Sequence, residues 1–206
     1  VPFEGAKFKW LSANVVSTAT GAPLLPAYGI KTFNGVKVAF IGMTLKATPA
    51  IVTPSGVAGL EFRDEAATVN ALIPELRAQG IESIVVLVHE GGFQTGTLAD
   101  INGCEGNLGG SAIASIVRQL DNAVDLVVSG HTHSAYSCML PNAAGRTISV
   151  SSASSFGRVL TDIDVTIDPK TRDVTKTVAT NRLVVRNDPA ITADTVVAKI
   201  VDAYKG

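Results

Sequence analysis

The chain has 206 residues, 46% hydrophobic and 17% charged, with 17 basic against 18 acidic side chains. This composition, with a mean hydropathy of +0.31, excludes a disordered chain, which needs few apolar residues and a large net charge. A formal net charge of −1 argues against a nucleic-acid polymer or an anionic membrane surface as partner, and apolar runs such as residues 83–88 fall far short of the roughly 18 residues of a membrane span.

In chain order, residues 11–16 read as a short strand. Residues 28–33 and 36–43 read as two strands joined at Asn34-Gly35, since both central positions of a tight hairpin turn need positive φ. The second run is apolar at nearly every position, which suits a strand covered on both faces. Residues 49–59, rich in Pro and Gly, read as a loop. A helix is expected over about 64–79, where Val69, Leu72, Ile73 and Leu76 recur at helical spacing and Gly80 can stop it. Pro74 removes one hydrogen bond inside that helix and predicts a kink. Residues 83–88 form another apolar strand, and a polar, Gly-rich loop follows over 90–110. Ser111 is the expected N-cap of a second helix carrying Ile113, Ile116, Val117 and Leu120. Residues 125–129 are a third apolar strand.

The pattern changes after Gly130. Residues 147–154 and 158–167 read as strands. In the second, Val159, Thr161, Ile163, Val165 and Ile167 share a face, the alternation of a half-exposed antiparallel strand. A turn at 168–171 leads into a strand over 174–185. Thr192 is the expected cap of a final helix with Val196, Val197, Ile200, Val201 and Tyr204 on its apolar side. The expected fold class is α/β: a layered β-sandwich flanked by helices, with parallel βαβ units followed by antiparallel strands.

Only three histidines occur, His89, His131 and His133. His89 directly follows one apolar strand, and the other two follow the next. Parallel strands joined by right-handed crossovers end on one edge of the sheet, where ligands of open α/β sheets bind. The three imidazoles are therefore expected to meet there and to hold a divalent metal. In an extended segment His131 and His133 would face one side while Thr132 points away. Two cysteines, Cys104 and Cys138, permit one disulfide or two buried thiols. The chain begins at Val1 with no signal-peptide pattern and reads as a piece of something longer. A Gly-x-Ser-x-Gly nucleophile elbow is absent. The segment Gly109-Gly110-Ser111 is read as simple capping rather than a phosphate cradle.

Val88-His89-Glu90-Gly91-Gly92 and Ser129-Gly130-His131-Thr132-His133, in that order, resemble the later metal motifs of the calcineurin-like metallophosphoesterases. Residues 11–15 and 38–44 are similar to the bacterial secreted 5′-nucleotidase branch, which includes UDP-sugar hydrolases and 2′,3′-cyclic nucleotide phosphodiesterases. The resemblance spans about residues 11–167. It implies a dinuclear centre of Zn, Mn or a similar divalent metal, with His89 and His131 on one ion and His133 on the other. It also implies hydrolysis of nucleotides or other small phosphoesters, a periplasmic or secreted location, and a Cys104–Cys138 bridge. The family's earlier Asp-x-His, Gly-Asp and Asn-His-Glu motifs are missing from this sequence. The expectation is therefore a partial metallophosphoesterase domain over residues 1–190, with no catalytic residue of its own. Residues 191–206 would be a helix leading toward a C-terminal nucleotide-binding domain. The partner that completes the site would be the upstream half of the same domain. This piece alone would be inactive. The alternative is a non-catalytic binding or scaffold module with at most a weak three-histidine metal site.

Overall fold

The computed structural model describes residues 5–96 and 100–205, so residues 97–99 of the 90–110 loop lie outside it. The expected hairpin forms: β2 (Tyr28–Phe33) and β3 (Val36–Met43) pair antiparallel across Asn34 at φ 47° and Gly35 at φ 85°. The apolar runs become β5 (Ser83–Val88), β6 (Leu126–Val128) and β8 (Thr147–Ala153). With β3 they make a parallel ladder, β3-β5-β6-β8. The strand β7 (Ala135–Pro141) adds antiparallel to β8 at one edge, as β2 does to β3 at the other. A small ribbon of β1 (Val15–Ser17) and β4 (Leu60–Phe62) lies apart, shorter at its start than the strand expected over 11–16.

Helix α1 (Glu65–Ala78) begins where the Asp64 carboxylate accepts a hydrogen bond from the Ala67 amide at 3.0 Å. It runs on past Pro74, and Gly80 follows at φ 71°, a conformation open to Gly at little cost. Its Val69, Ile73 and Leu76, with Ile113, Ile116 and Val117 of α2 (Ala112–Gln119), bury the sheet face formed by Ile41, Ile84, Val86 and Val127. Alternate residues on the same strands, Val38, Val85 and Leu126, point to the opposite face. There the hairpin of β9 (Val159–Ile167) and β10 (Val174–Leu183) lays Ile163 and Ile167 over them. Beside that contact a cleft of about 440 Å³ remains, lined by apolar side chains including Phe33, Phe40, Leu87 and Val165. This is the mixed α/β layering that the sequence predicts.

Two local expectations are corrected. The final helix α3 (Thr195–Tyr204) is capped by Asp194, not Thr192. The Asp194 carboxylate accepts from the Val196 and Val197 amides, both at 2.9 Å, whereas Thr192 lies too early to reach them. The sequence reading also assigns no element to residues 135–141, although Tyr136, Cys138 and Leu140 alternate inward as a strand requires.

Candidate metal centre

The parallel ladder brings the C-terminal ends of β3, β5 and β6 to one edge. His89 follows β5 at once, and its amide donates to the Met43 carbonyl of β3 at 3.0 Å. His131 lies three residues beyond β6. The two rings stand together with centroids 5.2 Å apart and planes at 65°. Two imidazoles bound to one tetrahedral ion at about 2.0–2.1 Å have ring centres about 5 Å apart. The centroid spacing of His89 and His131 matches that value. His133 does not join them as a third ring; it packs edge-on against Phe156 at 5.4 Å. Among the described residues, no three His, Cys, Asp or Glu side chains are grouped so as to hold one ion.

The loops that carry the two rings are hydrogen-bonded to each other. The Gly130 amide donates to the Glu90 carbonyl at 3.1 Å, and the Thr132 hydroxyl donates to the Gly92 carbonyl at 2.9 Å. A Cβ on Gly91 would lie 2.1 Å from the Gly130 oxygen and 2.6 Å from Thr132 Oγ1, so only glycine permits this approach. Gly92 is confined too: a Cβ there would meet Ser111 and Ile113 at 2.8–2.9 Å. Ser111 holds the N-cap position, but its hydroxyl accepts from the Phe93 amide at 3.1 Å rather than from its own helix. A cavity of about 700 Å³ opens beside this junction, with His131, Thr132, Glu90, Phe93 and Ser111 among its walls.

The segment 131–133 is not extended, contrary to the sequence expectation. His131 has φ 67° and His133 φ 57°, and the Thr132 amide bonds back to the Gly130 carbonyl at 2.8 Å. The chain turns here because Thr132 is drawn inward onto Gly92 instead of pointing away. Left-handed backbone is uncommon at non-glycine residues and is held in place only by surrounding bonds. Ser154 Oγ supplies one of them, donating to the His133 carbonyl at 3.2 Å.

Cys104 and Cys138 form a disulfide, tying the loop that follows the first histidine motif to β7. A buried asparagine reinforces the tie. Asn181 of β10 is 3% exposed. Its amide nitrogen donates to the carbonyls of Ile101, Tyr136 and Ser152, and its side-chain oxygen accepts from Thr161 at 2.6 Å. Its backbone exchanges two bonds with the Asn102 side chain, at 2.6 and 3.0 Å. Neither asparagine stands out in the sequence, because both lie among ordinary polar residues. Tyr136 escapes the sequence reading as well, although its place in the Tyr136/Cys138/Leu140 alternation marks it as inward-facing.

No family model matches the chain. It is 32% identical over 174 residues to an endonuclease of Bacillus subtilis, which covers 84% of this chain and 13% of that protein. It is 31% identical over 131 residues to a 5′-nucleotidase of Vibrio cholerae, covering 63% of this chain and 22% of the relative. The chain thus spans less than a quarter of either relative's length. Among solved structures, the fold matches that of a 5′-nucleotidase precursor from Thermus thermophilus with TM-score 0.75 at 24% identity, over 98% of this chain and 38% of that one. With these relatives, this layering of sheet and helices and the two histidine motifs at one sheet edge, the chain is a homologue of 5′-nucleotidases and shares the fold of part of one.

Proposed function

We propose that the chain supplies part of the metal centre of a nucleotide-directed phosphoesterase. His89 and His131 are ligands of one divalent ion, and His133 is a ligand of a second. The observation that carries this reading is the His89–His131 pair, 5.2 Å apart on loops bonded to each other. When bound, the ions supply positive charge that stabilises a phosphoryl group during its transfer. The chain's own residues orient the rings and shape the adjacent cavity, which admits a small phosphoester.

The absent Asp-x-His, Gly-Asp and Asn-His-Glu motifs leave the remaining ligands to the upstream half of the domain, so this chain alone is inactive. That half seats on the uncovered part of the sheet face, where Phe33, Phe40 and Leu87 line the apolar cleft. Residues 1–190 are then one partial domain. The helix after residue 191 leads toward a further nucleotide-binding domain, and its exposed Val196, Val197, Ile200 and Val201 suit a contact with it. The disulfide suits a periplasmic or secreted location.

Titration with Zn²⁺ or Mn²⁺, followed by NMR of the three imidazoles, tests the ligand assignment. His89 and His131 signals should change together, and His89→Ala should abolish the response of His131. Unperturbed imidazoles would leave a binding or scaffold module. Joined to its upstream half, the chain should release phosphate from a 5′-nucleotide in a metal-dependent way. Silence across several nucleotides and divalent ions would refute the activity.

A further inference from the structure

Beneath the two histidine loops lies a fully buried phenol. Tyr136 is 0% exposed, and its hydroxyl is 2.6 Å from Ser129 Oγ. The direction of this bond follows from the surroundings. Ser129 has one hydroxyl proton, and it goes to the Ser151 carbonyl at 2.8 Å. The Tyr136 hydroxyl is therefore the donor and Ser129 Oγ the acceptor. Ser152, opposite Tyr136 in the β7–β8 register, donates its own proton to the Ser134 carbonyl at 2.7 Å.

Ser129 and Ser134 flank the histidines of the second motif. Ser129 precedes Gly130-His131. Gly92 ends the His89 loop and receives the Thr132 bond from the other loop. Ser134 follows His133. The hydroxyl thus anchors the base of the His131 loop, which Thr132 ties to the His89 loop at Gly92. Apolar packing does not require an oxygen at this place, since phenylalanine would fill the same space.

We propose that Tyr136 is a positioning residue for the metal centre: its buried hydroxyl sets the two histidine loops against each other and so holds the His89 and His131 rings at the spacing one ion needs. This deepens the metal reading above and rests on it. Groups that orient metal ligands from behind commonly change metal affinity by about 10–100-fold when removed. Ser129, as the acceptor, acts with Tyr136 as one unit.

The test uses the full, disulfide-bonded chain and the variant Tyr136→Phe. Two quantities are read under conditions where circular dichroism shows both proteins folded: the nuclear Overhauser contact between the His89 and His131 rings without metal, and the Zn²⁺ affinity. Tyr136→Phe should weaken or abolish the ring contact and lower Zn²⁺ affinity about 10-fold or more. Ser129→Ala, which keeps the phenol but removes its acceptor, should act in the same direction and serves if Tyr136→Phe does not fold. Ser83→Ala removes a buried bond to the Arg172 carbonyl at the opposite end of β5 and should leave both readouts unchanged, which separates positioning from general destabilisation. An unchanged ring contact with unchanged Zn²⁺ affinity in Tyr136→Phe would overturn the proposal. Should the unaltered chain bind no Zn²⁺, the metal reading falls, and the metal-free ring contact still decides whether Tyr136 sets the loops.

Discussion

Removing the Cys104–Cys138 bridge should lower the stability of the folded chain by about 3–4 kcal/mol. The bridge closes a sequence separation of 34 residues, and the figure is the loop-closure entropy the reduced, unfolded chain regains. It applies in full only if the native structure survives the loss of the bond. The structure gives a reason that it does. The Ser137 amide donates to the Gly103 carbonyl at 3.1 Å, Gln94 bonds to the Ala135 carbonyl and the Glu105 amide, and Asn102 bonds twice to Asn181. These contacts hold the same loop against β7 and β10 without help from sulfur. The suitable variant is Cys104→Ala/Cys138→Ala, because Cys138 is 2% exposed and a serine there would bury a hydroxyl. Urea unfolding followed by far-UV circular dichroism is the assay. Trp10 is a poor reporter, being 64% exposed. The double variant should remain folded in water, since a chain of this size has about 5–15 kcal/mol to lose from. A change below about 1 kcal/mol would show that the unfolded chain gains little freedom. Loss of the native spectrum in water would show that the hydrogen bonds do not hold the loop alone. Either result refutes the reasoning.

Gly91→Ala places a methyl 2.1 Å from the Gly130 oxygen, so the two histidine loops must part; the ring contact between His89 and His131 should vanish by NMR, with about 1–3 kcal/mol lost in a thermal or urea melt. Asn181→Leu strands the Ile101 carbonyl and the Thr161 hydroxyl around a buried site and removes a second bond from the Tyr136 and Ser152 carbonyls. It should cost at least about 2 kcal/mol in urea unfolding, whereas a cost below about 1 kcal/mol would mean water or relaxation replaces those bonds. Asp125, whose side chain is 1% exposed, accepts from the Ile84 amide at 2.8 Å and pairs with Arg146. Burial pushes its carboxyl up to about 7 against the pull of the Ile84 amide and Arg146, with Asp173 adding to the rise. The native state then holds a proton that the unfolded chain releases near pH 4, so this contribution to stability is complete below about pH 4 and is lost as pH rises to about 7. Relative to Asp125→Asn, the unaltered chain should weaken over that window by up to about 1.4 kcal/mol per pH unit; parallel pH profiles would show that Asp125 stays ionised throughout.

The parallel ladder was legible because β3, β5 and β6 are nearly all apolar and separated by helices with a clear 3.6-residue stripe. The Asn34-Gly35 turn was legible because its conformation demands those residue types. What escaped depends on contacts between distant segments. Residues 131–133 look extended in sequence, but Thr132 is captured by Gly92, forty positions away, and a single-segment reading has no access to that bond. Strand β7 escaped because the apolar Met139 and Pro141 sit on its outward face and blur the alternation, although Tyr136, Cys138 and Leu140 kept the two-residue period. The cap of α3 was misplaced by two residues, since Thr192 and Asp194 are both good caps and only the backbone decides between them. The histidine edge was legible in outline from topology, and the grouping of His89 with His131 apart from His133 came from the family resemblance; the contact of His133 with Phe156 was not legible.

Strain gathers where the imidazoles are. Of the non-glycine residues with positive φ, His131, His133, Ser154 and Phe156 all lie on the two neighbouring turns at this edge. Asparagine adopts that backbone more readily than most residues, and His133 is exposed with its ring edge-on against Phe156. His133→Asn should therefore leave stability unchanged or raise it by about 0.5 kcal/mol, while removing an imidazole that the proposed second ion needs. A stabilised chain with weakened response to a second equivalent of Zn²⁺, when joined to its upstream half, is the pattern of a side chain kept for binding at the expense of stability. A loss of more than about 1 kcal/mol in urea unfolding would instead make His133 a structural residue, with the Phe156 contact as its main role.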